Sequence, residues 1–265
     1  MFDLSFSSRI GISITTVLFA SNLATAKTKV YKVAIAETGF VPFSFPESAK
    51  KDGIFMKILK EIGAISGDQF VPVFAPTKRI KAMFEKGEID IEPGINPIWR
   101  KDQEKISIYS DPFTTLTERL MFHTATGAFT LKNFASGAVK GAAAKKANFL
   151  DPNTRFLGAV HGYFYPKVDY AFKSGHVTRV DAGGEEALVK MLHNRRVDAI
   201  VISEIPGNYH VKQIKNSGII PGEATEHNPV MFRIHKNHND LRIRINTALK
   251  KLTQNGKIAA IIKSM

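Results

Sequence analysis

Charged residues just beyond short apolar strands are the groups in this chain able to grip a small solute. Glu37 follows the apolar run Val30–Ala36 and can hold an amine or hydroxyl, or cap a local turn. Arg79, in Thr77-Lys78-Arg79, falls in the first turn of a predicted helix. A cation there opposes the helix dipole at a cost of a few tenths of a kcal/mol, so Arg79 is either a solvated charge or a group facing an anion. Asn96 and Arg100 share the strand-end loop Gly94-Ile95-Asn96-Pro97-Ile98-Trp99-Arg100. A guanidinium suits a carboxylate there, because its planar fork makes two parallel bonds. Glu204 stands two positions beyond the apolar run Val197–Ile202. Covalent chemistry finds no such footing: Gly-x-Ser-x-Gly, His-Glu-x-x-His and phosphate-loop patterns do not occur. His235 and His238 are three apart but fall at a strand–helix junction, and the other histidines are scattered. The reading is binding without catalysis, with no catalytic residue, cofactor or metal ligand assigned.

The ends and composition bound the setting. Residues 1–26 read as a cleaved signal peptide: Arg9, the apolar run Ile10–Ala20, then Ala24-Thr25-Ala26. That run is about half of the roughly 20 residues a membrane span needs. The chain has no cysteine to carry a lipid anchor or a disulfide, so a periplasmic protein standing on its apolar cores is expected. The formal net charge is +13. Zinc spacings, RNA-binding aromatic strands and basic heptads are missing, so nucleic acid is not an expected partner. The surplus reads as a field favouring anions or as a basic surface. Between Glu118 and Asp151 stand Lys132, Lys140, Lys145 and Lys146 with no acid, and residues 125–150, rich in Ala, Gly and Lys, read as a surface insertion.

Strand and helix signals alternate. Val30–Ala36 predicts a strand, and the stripe Ile54, Phe55, Ile58, Leu59, Ile62 predicts a helix closed by Gly67. A strand follows at Phe70–Phe74, near an edge because of Pro72. Next come a helix capped by Thr77 and ending at Gly87, and a strand at Ile89–Glu92. The second half repeats the grammar: strand Arg155–Val160, loop His161–Pro166, a helix through Ala187–Leu192, strand Val197–Ile202 and a helix from Glu204. A strand at Val230–Ile234 and an amphipathic helix from Leu241 to Leu252 close the chain. Such alternation implies an α/β class with mostly parallel sheets covered by helices.

Phe40-Val41-Pro42-Phe43, the helix led by Gly53, Glu85-Lys86-Gly87-Glu88-Ile89-Asp90, Trp99-Arg100 and Ser107–Phe113 come in a telling order. So do Gly162-Tyr163-Phe164, Arg196–Ile200 and the tail from His235 to Ile262. Over residues 30–265 the chain resembles the bacterial extracellular solute-binding proteins of the polar amino-acid type. The resemblance implies a two-lobed periplasmic-binding-protein fold, with lobe 1 at 27–117 and 230–265, lobe 2 at 118–229, and crossings near Glu118–Phe122 and Pro229–Ile234. It implies hinge closure on an amino acid or related small carboxylate, delivered by a monomer to the permease of an ATP-driven importer. Arg100 would grip the ligand carboxylate and Phe40 would back its side chain. Gly162 and Tyr163 would present N–H groups at a helix start, with Glu37, Arg79 and Asn96 nearby. Where the family places an amine-binding aspartate, Ser203 stands, and Glu204 is the expected substitute. The alternatives are a cyclohexadienyl-dehydratase-like enzyme on the same scaffold, and a ligand sensor or accessory protein serving a membrane receptor.

Overall fold

A computed structural model of the chain describes residues 28–126, 129–136 and 155–265. The expected signal peptide, residues 1–26, and most of residues 125–150 lie outside the described residues. Nine strands form one sheet: β1 (Val30–Ala36), β2 (Gln69–Ala75), β3 (Ile91–Ile95), β4 (Ser107–Tyr109), β5 (Thr114–His123), β6 (Arg155–Val160), β7 (Val177–Ala182), β8 (Ala199–Ser203) and β9 (Ile219–His235). Their order is β2-β1-β3-β9-β5-β8-β6-β7, with β4 paired to β9. β1 pairs in parallel with β2 and β3, and β6 in parallel with β7 and β8, so each end of the sheet is a small α/β unit. The antiparallel pair β5–β9 belongs to both ends. Beyond it, β9 pairs with β3 from Met231 onward, and β5 pairs with β8 from Glu118 onward. Thr114–Thr117 and His227–Val230 therefore make a ribbon two strands wide.

Eight helices cover the sheet: α1 (Ile54–Ser66), α2 (Thr77–Glu85), α3 (Leu131–Ala135), α4 (Asp169–Lys173), α5 (Glu185–His193), α6 (Glu204–Lys212), α7 (Asn239–Gln254) and α8 (Lys257–Lys263) among the described residues. One main core gathers Val33, Ile35, Ile58, Leu59 and Ile62 with Val230, Phe232, Ile234, Ile245 and Leu249. The other unit is cored on both faces, by Leu120, Phe122, Phe134 and Leu157 on one side and by Met121, Leu188, Leu192 and Ile200 on the other. β5 supplies both because successive side chains alternate faces.

Four differences from the sequence reading have local causes. Pro76 caps α2 and Thr77 is its first residue, with no side-chain cap bond, because the Pro76 carbonyl already accepts from the Ile80 N–H. Asp90 precedes β3, and the strand instead runs through Pro93-Gly94. β9 extends 17 residues through Pro221, Gly222 and Pro229, residues that ordinarily break a strand. These sit beside an antiparallel partner whose register shifts twice, around Arg119. The amphipathic helix ends before Gly256 (φ +72°) as the sequence predicts, but a further short helix, α8, follows it, which the sequence reading did not include.

A file of aromatic rings joins the end of β1 to the shared strand. Phe40 stacks on Phe43 (5.3 Å between centroids), Phe43 on Phe55 (5.1 Å), Phe55 meets Phe113 edge-on (6.1 Å), and Phe113 stacks on Phe232 (4.4 Å). Gly94 (φ +73°) is packed under this file: a Cβ there would lie 2.2 Å from Phe55 Cζ. Gly94→Ala meets both a backbone region closed to alanine and a ring held on two sides. A loss of about 1–3 kcal/mol is expected, read as a lower unfolding midpoint in urea. A loss below 0.5 kcal/mol would show that the Phe55 ring is free to shift.

Candidate functional site

In open α/β sheets, ligands bind beyond the carboxyl ends of the strands. Here six parallel strand ends form two rims. The first holds Glu37–Phe40 after β1, Pro76–Arg79 after β2 and Asn96–Arg100 after β3. The second holds His161–Tyr163 after β6, Gly183-Gly184-Glu185 after β7 and Ser203-Glu204 after β8. The rims touch where the Phe45 ring meets Tyr209 of α6 edge-on at 6.3 Å, and Ile205 packs on the core beneath the first rim. All eight residues expected from the sequence fall on these rims, but their partners differ in kind.

On the first rim, Glu37 and Arg79 are exposed, and among the described residues no side chain pairs with either. Phe40 is half-buried, with its ring on Phe43. Asn96 is a structural clasp: its Oδ1 accepts from the Ile98 N–H (3.1 Å) and its Nδ2 donates to the Pro229 carbonyl in the ribbon (2.9 Å). Trp99 is partly buried against the main core. Arg100 is already engaged. Its Nε donates to Glu92 Oε2 at 3.1 Å, its Nη2 donates to Glu92 Oε1, and its Nη1 donates to the Trp99 carbonyl at 3.0 Å. Glu92 also accepts from Nη1 of Arg233 at 2.7 Å. Arg233 is fully buried, lies 3.7 Å over the Phe84 ring, and donates to Gln103 Oε1 (3.0 Å) and Ser107 Oγ (2.9 Å). One buried glutamate thus holds the side-on fork of Arg100, where a ligand carboxylate was expected.

The second rim differs from expectation as well. No helix begins at Gly162-Tyr163; the chain turns, and α4 starts at Asp169. The His161 N–H donates to the Ala182 carbonyl (2.8 Å) and the Tyr163 N–H to the Val160 carbonyl (3.1 Å), so neither points at a ligand. Arg179 braces the loop by donating to the carbonyls of Val160 (3.0 Å) and Tyr163 (3.1 Å). Glu204 is paired with Arg119 at 3.2 Å.

The acid beside Ser203 is a different one. Glu118 of β5 lies directly opposite both Ser203 of β8 and Glu226 of β9, so all three side chains share one face of the sheet. Ser203 Oγ donates to Glu118 Oε1. Burial pushes the Glu118 carboxyl up to about 7, the Ser203 bond opposes this, and the charges of Glu226 and Glu185 add to it. Glu226 accepts from the Lys167 N–H at 2.9 Å. Glu185, the first residue of α5, is raised by burial too, against its own backbone N–H and the Tyr163 hydroxyl. The Tyr163 ring is exposed, but its hydroxyl is crowded by protein and neighbours Glu185; both raise it. The sequence reading missed Glu118, Glu185 and Glu226. For Glu185 a signal was there: paired glycines between a β-prone run and an acidic helix start. Glu118 and Glu226 meet only through the pairing of strands distant in sequence. Among the described residues no group of three or more His, Asp or Glu is placed to hold a metal ion.

The sequence profile of the bacterial extracellular solute-binding proteins, family 3, matches residues 31–264. A search of curated proteins finds no significant match. Among solved structures, an ancestral arginine-binding protein bound to arginine shares 22% identity at a TM-score of 0.67, over 89% of this chain and 97% of that one. The second substrate-binding domain of GlnP from Lactococcus lactis, in an open conformation, shares 19% at 0.63, over 89% and 95%. A histidine kinase sensor domain with similarity to periplasmic binding proteins shares 13% at 0.66, over 90% and 95%. A profile spanning nearly the whole chain and two α/β units joined by a shared strand pair agree: this chain belongs to the bacterial extracellular solute-binding proteins, family 3.

Proposed function

We propose that the chain binds a small polar solute of amino-acid size between its rims in the periplasm, closes over it by bending at the β5–β9 ribbon, and delivers it to an ATP-driven importer. The observation that carries this reading is two rims of three parallel strand ends each, in contact at Phe45 and Tyr209 and joined by a ribbon two strands wide. Lobe 1 is then 27–117 with 230–265, and lobe 2 is 118–229, the divisions falling at the two ends of the ribbon. Hinge closure around a ligand is an established transition for two facing lobes. The arginine named for the ancestral relative and the fold shared with GlnP support an amino acid or a close chemical relative as solute. The kinase sensor domain supports a second reading on the same scaffold, in which the closed form is read by a membrane receptor. Binding is proposed over catalysis because the family matched over residues 31–264 is one of solute-binding proteins.

The test is thermal unfolding of the refolded chain against amino acids, amines, dicarboxylates and sugars, with small-angle scattering of the free and bound forms. A true ligand at about 1,000 times its Kd should stabilise by roughly 4 kcal/mol and reduce the radius of gyration. No shift and no compaction with any solute would remove the reading.

A further inference from the structure

Resting on that reading of solute binding, the geometry points to a ligand that is a small organic cation, an ammonium or guanidinium, taken up by Glu118, Glu185 and Glu226 in exchange for a proton, with no carboxylate required on the ligand. Four observations converge. First, several groups expected to hold a ligand carboxylate have partners inside the protein, while Arg79 stays exposed on the opposite rim. The Arg100 fork holds Glu92, and the N–H groups of His161 and Tyr163 hold the carbonyls of Ala182 and Val160.

Second, among the described residues Glu118, Glu185 and Glu226 have no cation paired with them. Glu118 and Glu226 are cross-strand neighbours, and both are buried. The groups facing Glu118 are Ser203 from β8, Glu226 from β9 and Glu185 from α5, with Tyr163 and Tyr165 of the loop after β6 on the far side of the acids. Arg119, next in β5, turns to Glu204 and to the Gly222 carbonyl. Burial without a counter-ion disfavours the charged form, and the Glu118 carboxyl is the one raised by it.

Third, Glu185 Oε1 is buried and has no hydrogen-bond partner, in a residue only 8% exposed. A buried acceptor left unmatched is costly and calls for a donor from outside the chain. Fourth, the backbone bordering these acids is unobstructed. The α-carbons of Gly162, Gly183 and Gly184, on the two strand ends that border Tyr163 and Glu185, each face open space.

The exchange balances simply. The cation enters, one proton leaves a carboxyl for solvent, and the cation's N–H groups donate to the oxygens vacated, Glu185 Oε1 among them. Matched pairs differing by a single carboxylate test it: L-ornithine against 1,4-diaminobutane, and L-arginine against agmatine, with glutarate as the carboxylate-only probe. Calorimetric titrations of the full chain would run from pH 5.5 to 8.5 in two buffers of different ionisation heat.

The expected result is that at least one amine binds as tightly as its amino acid or tighter. Its affinity should gain up to tenfold per pH unit below neutrality and level off above, with about one proton released at acidic pH. Glu118→Gln and Glu185→Gln should each weaken the amine tenfold or more. Amines tenfold weaker than their amino acids, binding by glutarate alone, or an affinity flat with pH would each overturn the cation site while leaving solute binding intact. No binding by any probe, with no compaction, would remove both.

Discussion

Glu92→Ala is expected to lower stability by about 3–5 kcal/mol, the cost of removing one partner from a buried ion pair. In a chain of this size that corresponds to a fall of roughly 6–20 °C in the unfolding midpoint. The reason lies in what remains. Arg233 is fully buried, and without Glu92 it keeps only the neutral acceptors Gln103 and Ser107 and the face of Phe84. Arg100, with a side chain 15% exposed, would lose both its carboxylate bonds at once. A second substitution separates charge from shape. Adding Arg233→Met to Glu92→Gln removes the fully buried cation with its partner and should recover part of the loss, Arg100 alone being left to turn towards water. Denaturant titrations of the three chains measure this. A Glu92→Ala loss below 1 kcal/mol would mean that water or rearrangement reaches Arg233, and Glu92 would not be the anchor described.

The second large effect is a dependence on pH. Glu118 sits at about 7 in the folded chain against an ordinary value of 4.5. Below the ordinary value both folded and unfolded chains hold the proton, and the group contributes no difference. Between that value and neutrality, the unfolded chain releases the proton while the folded chain keeps it. Stability therefore falls as pH rises through this window and is level above it, by about 3 kcal/mol in all. Glu118→Gln carries no such proton. It should flatten the stability curve between pH 5 and 8 and be the more stable protein at pH 8, with the Ser203 hydroxyl still bonded. Urea midpoints at pH 5, 6.5 and 8 decide it. Parallel curves for the two chains would show that Glu118 is ionised in the fold, and would also remove the proton from the proposed exchange.

Much of the fold was legible because its elements are locally consistent. The Ile54–Ile62 stripe, the continuous apolar run Val197–Ile202 and the Leu241–Leu252 stripe each specify one element without help from elsewhere, and the order of fragments specified the architecture. β9 was only a third visible. Pro221, Gly222 and Pro229 argue against a strand locally, and a partner a hundred residues earlier overrides them. The site was half legible for the same reason. Strand ends are local features, so every candidate fell on a rim. Partnership is not local: Glu92 reaches Arg100 over eight residues and Arg233 over 141. Glu118 finds Ser203 85 residues away. Residue type marked where charges would gather, and only the pairing of strands shows which charges are already answered.

The ribbon of Thr114–Thr117 and His227–Val230 has a mechanical consequence. A pair of hydrogen-bonded strands resists stretching and sliding, because either motion breaks ladder bonds, yet it yields readily to torsion when no third strand stiffens it. Here it is clamped on both sides, by β3 with the Asn96 clasp at one end and by β8 at the other. If the proposed closure bends here, such a joint would act as a short torsion bar, storing little energy over a modest rotation and not letting one unit translate past the other. The two rims would then meet in the same registration on every stroke. In the proposed closure, an assembly of long buried charges such as Glu92 with its two arginines would stay rigid throughout, the deformation being confined to four residues on each strand.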